Sequence, residues 1–134
     1  MKFYIAASYP MKFDAKILAH VLRGSGHEVT SAWHDDWKST WHRDWENVSD
    51  GPERWAADCV RDMLGVQLCG HLVQITGDSM SRGGRHTELG IALALGKRIS
   101  LIGPDEQVFH RHPLVAHFAS PKDFLEANLS REKP

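Results

Sequence analysis

Apolar positions along this chain alternate between short dense runs and longer stretches spaced three and four residues apart. Residues 2–7 hold Phe3, Tyr4, Ile5, Ala6 and Ala7 in succession, the mark of a strand buried on both faces. Phe13, Ile17, Leu18, Val21 and Leu22 then recur at helical spacing, predicting a helix over 12–23 that Gly24-Ser25-Gly26 stops. Residues 27–33 alternate as a second strand would. Pro52, just after Asp50, suits the first turn of a second helix, whose one face would carry Trp55, Ala56, Cys59, Val60, Met63, Leu64 and Leu68. A third strand follows at 71–76, a helix at 89–95 closed by Gly96, and a fourth strand at 98–102 ended by Gly103-Pro104. Residues 115–118 predict a short fifth strand, and Ser120-Pro121 opens a last helix through 129. Residues 34–51 are polar and rich in tryptophan, without a core pattern, and no internal repeat is visible.

Strands separated by helices imply right-handed crossovers and a parallel sheet covered on both faces. The expected fold is therefore α/β: a doubly wound, five-stranded parallel sheet flanked by helices, of the flavodoxin or Rossmann type. With 134 residues, a single domain over 1–134 is expected. Ligands of such sheets bind at the carboxyl ends of the strands. Ser8, Trp33, His34, residues 76–85 and Gly103 would gather there.

Charge narrows the partners. The formal net charge is −1, which leaves no basic excess to neutralise duplex nucleic acid. No stretch is long and apolar enough to cross a bilayer, so no membrane partner is expected. The short apolar start breaks at Ser8-Tyr9-Pro10 and reads as a strand rather than a signal peptide. Cys59 and Cys69 form no metal knuckle, and a reducing cytoplasm is the expected setting.

The stretch Ser81-Arg82-Gly83-Gly84-Arg85-His86-Thr87-Glu88-Leu89-Gly90 carries the clearest chemistry. A glycine-rich turn between strand and helix bares N–H groups at the positive end of a helix dipole, where phosphates and other anions bind. Asp78, Ser81, Gly83 and Gly84 are the substrate-binding candidates of that turn. Glu88 reads as a carboxylate in the first turn of the helix. Dipole stabilisation of about 0.3–1 kcal/mol would account for it there. Alternatively, the helix-end N–H groups keep it ionised beside a substrate, ready to attack an electrophilic sugar carbon or steady an oxocarbenium ion. Asp62, at the edge of the second helix's apolar face, is the candidate second acid. The plainer reading is an exposed helix carboxylate paired with a nearby arginine, and Asp58 competes with it one turn earlier.

Three segments together resemble the nucleoside 2-deoxyribosyltransferase family, which includes deoxynucleoside monophosphate N-glycosidases. They are Tyr4-Ile5-Ala6-Ala7-Ser8, Arg61-Asp62, and Gly83-Gly84-Arg85-His86-Thr87-Glu88-Leu89-Gly90-Ile91-Ala92 with Gly96-Lys97. The likeness runs from Lys2 to about Phe118 and omits the tryptophan-rich segment. It implies cleavage of the N-glycosidic bond of 2'-deoxynucleosides or their 5'-monophosphates, through a glutamyl-deoxyribosyl intermediate, with transfer of the sugar to another base. A hydrolase, with water as acceptor, and a non-catalytic nucleotide-binding module are the alternatives. By the same resemblance Glu88 matches the nucleophile, and Asp62 an aspartate that positions the sugar and assists proton transfer to the base. Tyr4 matches an aromatic residue lining the pocket, while Ser8, Ser81 and Gly83 fall where sugar or phosphate oxygens are held. Neither a metal nor an organic cofactor is implied, and a homo-oligomer, dimer or higher, is. One departure stands out: where many relatives carry an acid at the start of the third strand, this chain has Gly70 beside His71.

Two further patterns bear on the site. Arg82, Arg85 and His86 make the glycine turn more positive than it need be, which favours a phosphorylated substrate. Trp33, Trp37, Trp41 and Trp45 recur every fourth residue and would form one aromatic stripe on a helix, for packing or for stacking on a base. Trp33, nearest a strand end, is the candidate base contact, and His34, Asp35 and Asp36 are candidate partners for a base edge. The chain has nine histidines, yet neither His110 and His112 nor Cys69 and His71 belong to a paired zinc motif. His110 and His112 are instead expected on a loop at the rim of the site or against a partner subunit.

Overall fold

The computed structural model describes residues 1–35, 51–77 and 83–129. Five parallel strands form one sheet: β1 (Lys2–Ala6), β2 (Glu28–Val29), β3 (His71–Ile75), β4 (Arg98–Ile102) and β5 (Val115–Phe118). Their spatial order is β2-β1-β3-β4-β5. In register, Tyr4 of β1 stands beside Leu72 of β3, and Val73 beside Ser100 of β4. The order reverses between β1 and β3, so a crevice opens there at the carboxyl ends of the strands. The expected α/β doubly wound fold is thus observed.

Helices α1 (Lys12–Gly24) and α4 (Pro121–Leu129) cover one face, and α2 (Gly51–Leu68) and α3 (Gly84–Ala94) the other. Because side chains alternate along a strand, β1 feeds both layers. Phe3 and Ile5 join Ala15, Leu18, Ala19 and Leu22 of α1 and Phe124 of α4. Tyr4 and Ala6 join Leu72, Val66 of α2, and Leu89 and Ala92 of α3.

Several elements depart from the sequence expectation. β2 is two residues long rather than spanning 27–33. Beyond Thr30, whose N–H still donates to the Phe3 carbonyl at 2.7 Å, side chains replace the ladder: Ile5 donates its N–H to Ser31 Oγ at 3.0 Å, and Trp33 Nε1 donates to the Ile5 carbonyl at 2.8 Å. α3 begins at Gly84, not near Leu89, because Gly83 takes a left-handed conformation (φ 92°) that starts the helix one turn earlier. On α1, Phe13 and Ile17 face outward, and the short side chains of Ala15 and Ala19 pack against the sheet instead.

α2 departs most. Its side toward the sheet is small, with Gly65 and Val66 buried, while Trp55, Val60, Met63, Leu64 and Leu68 are exposed. Gly65 explains the geometry. A Cβ there would stand 2.7 Å from the Thr30 carbonyl oxygen and 2.8 Å from the Tyr4 ring, and Thr30 Oγ1 already donates to the Gly65 carbonyl at 2.7 Å. The glycine lets α2 lie directly on Tyr4. Gly65→Ala is expected to destabilise the fold by about 1–3 kcal/mol, since neither the strand-end backbone nor the ring has room to yield. Gly90→Ala on the exposed side of α3, where a Cβ meets nothing within 4 Å, is expected to leave stability unchanged or raise it. Thermal unfolding of the two variants checks both.

Candidate active site

Tyr4 lies in the middle of β1 with no exposed surface, and its hydroxyl donates a hydrogen bond to Glu88 Oε2. Glu88 is the fifth residue of α3, so it sits in the second helical turn rather than the first. That placement corrects the expectation that helix-end N–H groups hold it ionised. From the second turn its side chain reaches back over β1. Burial, reinforced by the nearby Asp62 charge, pushes its carboxyl up to about 8, against the pull of Tyr4 and Arg61.

Asp62, on α2, stands near enough that its charge acts on both Glu88 and Tyr4. It is partly buried, and Arg61 Nε lies 3.1 Å from its Oδ1. Burial raises its carboxyl above the ordinary range, against the pull of Arg61. Asp58 lies further out, its Oδ1 3.7 Å from Arg61 NH1, and contributes only a like charge behind Asp62. The Tyr4 phenol is driven far upward, first by burial and then by the charges of Glu88 and Asp62, and stays a donor at all working pH values. The like charges of the two carboxyls oppose each other's ionisation, and Glu88, raised to about 8, keeps its proton near pH 7.

Around this pair the expected substrate-binding residues are distributed as follows. Ser8, at the carboxyl end of β1, is 3% exposed, and its Oγ meets no hydrogen-bond partner among the described residues. Gly83 and Gly84 begin α3, Gly83 accepting through its carbonyl from His86 N–H at 3.0 Å and Thr87 N–H at 3.1 Å. Trp33 is partly buried, packed between the two core layers beside the end of β1. Asp78, Ser81, Arg82, Asp36, Trp37, Trp41 and Trp45 lie outside the described residues.

Four expectations need correction. Arg85 is buried and pairs with Glu106 Oε1 at 2.5 Å, so its charge is met within the chain rather than offered to a phosphate. His110 has no exposed surface, and so belongs to neither a rim nor a subunit contact; its ring is held by Gln74 Oε1 at 2.5 Å. His112 remains exposed, its Nδ1 accepting from Leu114 N–H at 3.1 Å. His34 is likewise fully buried, with Nε2 2.8 Å from Ser31 Oγ, and Asp35 is forked by Arg23 at 3.0 and 3.3 Å. Neither is placed to read a base.

Sequence reasoning missed Glu106 and Gln74. Glu106 carries no local signal, because its partners arrive from α3 and from Gly77 after β3. Gln74 does: it is the one amide in the apolar run Leu72-Val73-Gln74-Ile75. Among the described residues no group of three His, Cys, Asp or Glu is placed to hold a metal ion, and no helix is long and apolar enough to cross a membrane.

This architecture recurs in known structures. No protein-family model matches the sequence, and comparison with curated proteins finds no match. Among solved structures, the 2-deoxyribosyltransferase of Bacillus psychrosaccharolyticus is similar over 98% of this chain and 95% of its own, with a TM-score of 0.64 and 18% identity. The CMP N-glycosidase BcmB of Clostridium botulinum is similar over 95% of this chain and 97% of its own, with a TM-score of 0.60 and 19% identity. The 2-deoxyribosyltransferase of Leishmania mexicana covers 81% of this chain with 68% of its own, at a TM-score of 0.54 and 16% identity. The chain thus shares the fold of nucleoside deoxyribosyltransferases and nucleotide N-glycosidases.

Proposed function

We propose that this protein cleaves the N-glycosidic bond of 2'-deoxynucleosides or their 5'-monophosphates. The reaction proceeds through an ester between Glu88 and C1' of the deoxyribose, and the sugar passes to a second base. The observation that carries this reading is the buried Glu88 carboxyl of α3, held by the Tyr4 hydroxyl, with Asp62 of α2 near enough for its charge to act on both; Glu88, raised to about 8, keeps its proton near neutral pH.

That proton balances the chemistry. A base leaving C1' takes the bonding electron pair on its nitrogen and needs a proton to leave well. A carboxyl attacking C1' must first lose one. If the Glu88 proton passes to Asp62 and on to the base, Glu88 is freed as nucleophile while the base departs neutral. The site then holds a glycosyl ester at Glu88 and an ionised Asp62. The second half runs the same steps backward with a new base, or with water, which Asp62 deprotonates. Tyr4 donates to Glu88 Oε2 and orients the carboxyl group for attack. Ser8 and the Gly83-Gly84 turn, at the crevice between β1 and β3, are suited to sugar or phosphate oxygens. The steps as written call for neither metal nor organic cofactor.

The exposed apolar side of α2 supports a homo-oligomer. Val60, Leu64 and Leu68 follow one another at four-residue spacing on the surface, beside the element that carries Asp62. A second copy covering that face would also shelter the acid pair. Cys59 and Cys69 are free thiols, in keeping with a cytoplasmic setting.

Hydrolysis is the second reading, favoured by the likeness to an N-glycosidase alongside the transferases. Incubation with one deoxynucleoside, its 5'-monophosphate and a different free base separates the two. The expected result is a new nucleoside or nucleotide carrying the second base. Free deoxyribose or its phosphate instead would assign the hydrolase, and no base release from either substrate would overturn the enzymatic reading.

A further inference from the structure

Four residues outside the acid pair close a circuit beneath α3. Gln74, in the interior of β3, donates through Nε2 to the Arg85 carbonyl at 3.0 Å and accepts at Oε1 from His110 Nε2–H at 2.5 Å. The His110 Nδ1 accepts the Glu106 backbone N–H at 2.9 Å. The Glu106 carboxylate returns to α3 through Arg85 NH2 at 2.5 Å, and also accepts the Gly77 N–H at 3.2 Å. Gln74 and His110 have no exposed surface, and Arg85 is 5% exposed. The Arg85 carbonyl is the helical acceptor for Leu89, the residue after Glu88, so the circuit grips the turn from which Glu88 projects.

We propose that Gln74, His110 and Glu106 are positioning residues that set the place of Glu88 and of the Gly83-Gly84 turn. The inference rests on the glycosidic reading of Glu88 only for its kinetic consequence. A hydrogen-bonded loop from β3 through the segment after β4 and back into α3 leaves the first turn of the helix one orientation, where apolar packing alone would allow several.

The ring chemistry makes the claim specific. The circuit needs one donor and one acceptor on the two ring nitrogens, which only the neutral Nε2–H form of His110 supplies. Protonation would set an Nδ1–H against the Glu106 N–H and break the loop. Around His110 stand His86 of α3, Glu106 and Asp105 of the loop after β4, and His117 of β5; burial and the His86 ring lower its basicity, while Glu106 and Asp105 oppose them. An amide also offers one donor beside one acceptor. His110→Gln is therefore expected to keep the circuit, and His110→Phe to keep the ring's bulk and lose it.

The test compares the parent protein with both variants. With a deoxynucleoside monophosphate, His110→Phe is expected to lower kcat about tenfold to a hundredfold with little change in KM, and His110→Gln to restore it. The acid limb of log kcat against pH is expected to steepen from a slope of one toward two in the parent and to remain at one in His110→Gln. Two readouts need no activity: amide exchange of residues 84–89, expected to quicken in His110→Phe alone, and the Glu88 carboxyl titration near pH 8 followed by carbon NMR, expected to move in His110→Phe alone. If the parent releases no base, the glycosidic reading fails and these two readouts still decide the positioning role. Unchanged exchange and titration in His110→Phe, or an equal kcat in all three proteins, overturns the proposal. Should His110→Phe not fold, Glu106→Gln, which keeps the backbone donor and weakens the Arg85 pair, is expected to shift the same readouts in the same direction, and its failure to do so overturns it equally.

Discussion

Glu88→Gln is expected to end base release and, at the same time, to make the protein more stable above neutral pH. The loss of activity follows from the nucleophile: an amide cannot form the glycosyl ester, and kcat is expected to fall by more than about a thousandfold, with substrate binding retained. The gain follows from linkage. The Glu88 carboxyl is raised from 4.5 to about 8 in the folded chain. Between those values the folded protein holds a proton that the unfolded chain has released, so stability falls as pH rises through that window and levels off above it. A tenfold change in proton affinity is worth about 1.4 kcal/mol, so the total is on the order of a few kcal/mol. Glutamine keeps the Tyr4 hydrogen bond and removes the titration. Unfolding by urea should therefore give similar stabilities for the two proteins at about pH 4.5, and a higher midpoint for Glu88→Gln at about pH 8.5. Base release that survives the substitution would remove Glu88 as nucleophile; equal midpoints on the alkaline side would mean that its burial carries no penalty.

How much of this is legible in the sequence depends on how local each signal is. The strand runs at 2–7, 71–76 and 98–102 are readable because a parallel strand buried on both faces must be apolar throughout, and that needs no partner to be known. Glu88 and Asp62 can be picked out through the likeness of their segments to an enzyme family. The nearness of Asp62 to Glu88 and Tyr4 follows from Gly65, whose missing side chain lets α2 descend onto the ring. Nothing in the local pattern of 51–68 announces that descent, and the larger apolar residues there point the helix the wrong way round. The same limit hides the fate of Arg85. Beside two glycines it reads as a phosphate ligand, and only the loop after β4, twenty-one residues on, supplies the Glu106 that takes its charge. His110 misleads for the converse reason: a polar ring between exposed neighbours looks like a rim, until Gln74 provides an interior partner. Long-range polar pairs leave no periodic trace, so a site built from them is read poorly from sequence.

Asp62→Asn is expected to reverse the alkaline side of the pH–rate profile. In the proposed reaction the active form of the parent site carries one proton on the acid pair. Its kcat/KM is therefore expected to be bell-shaped, falling above about 8 as Glu88 loses that proton. Asparagine removes both the proton carrier and a negative charge that raises Glu88. Base release is then expected to drop by about 10²–10⁴-fold near neutral pH, because the leaving nitrogen is no longer protonated. What remains depends only on ionised Glu88, so it should rise with pH and level off, with a midpoint below that of the parent. Tyr4→Phe moves the midpoint in the opposite direction, since the lost hydrogen bond had favoured the carboxylate. A substrate whose base is already positively charged leaves without a proton and is expected to recover most of the Asp62→Asn loss while recovering none in Glu88→Gln. An unchanged bell in Asp62→Asn, or equal rescue of both variants by the charged substrate, would place the departing proton elsewhere and separate Asp62 from the chemistry.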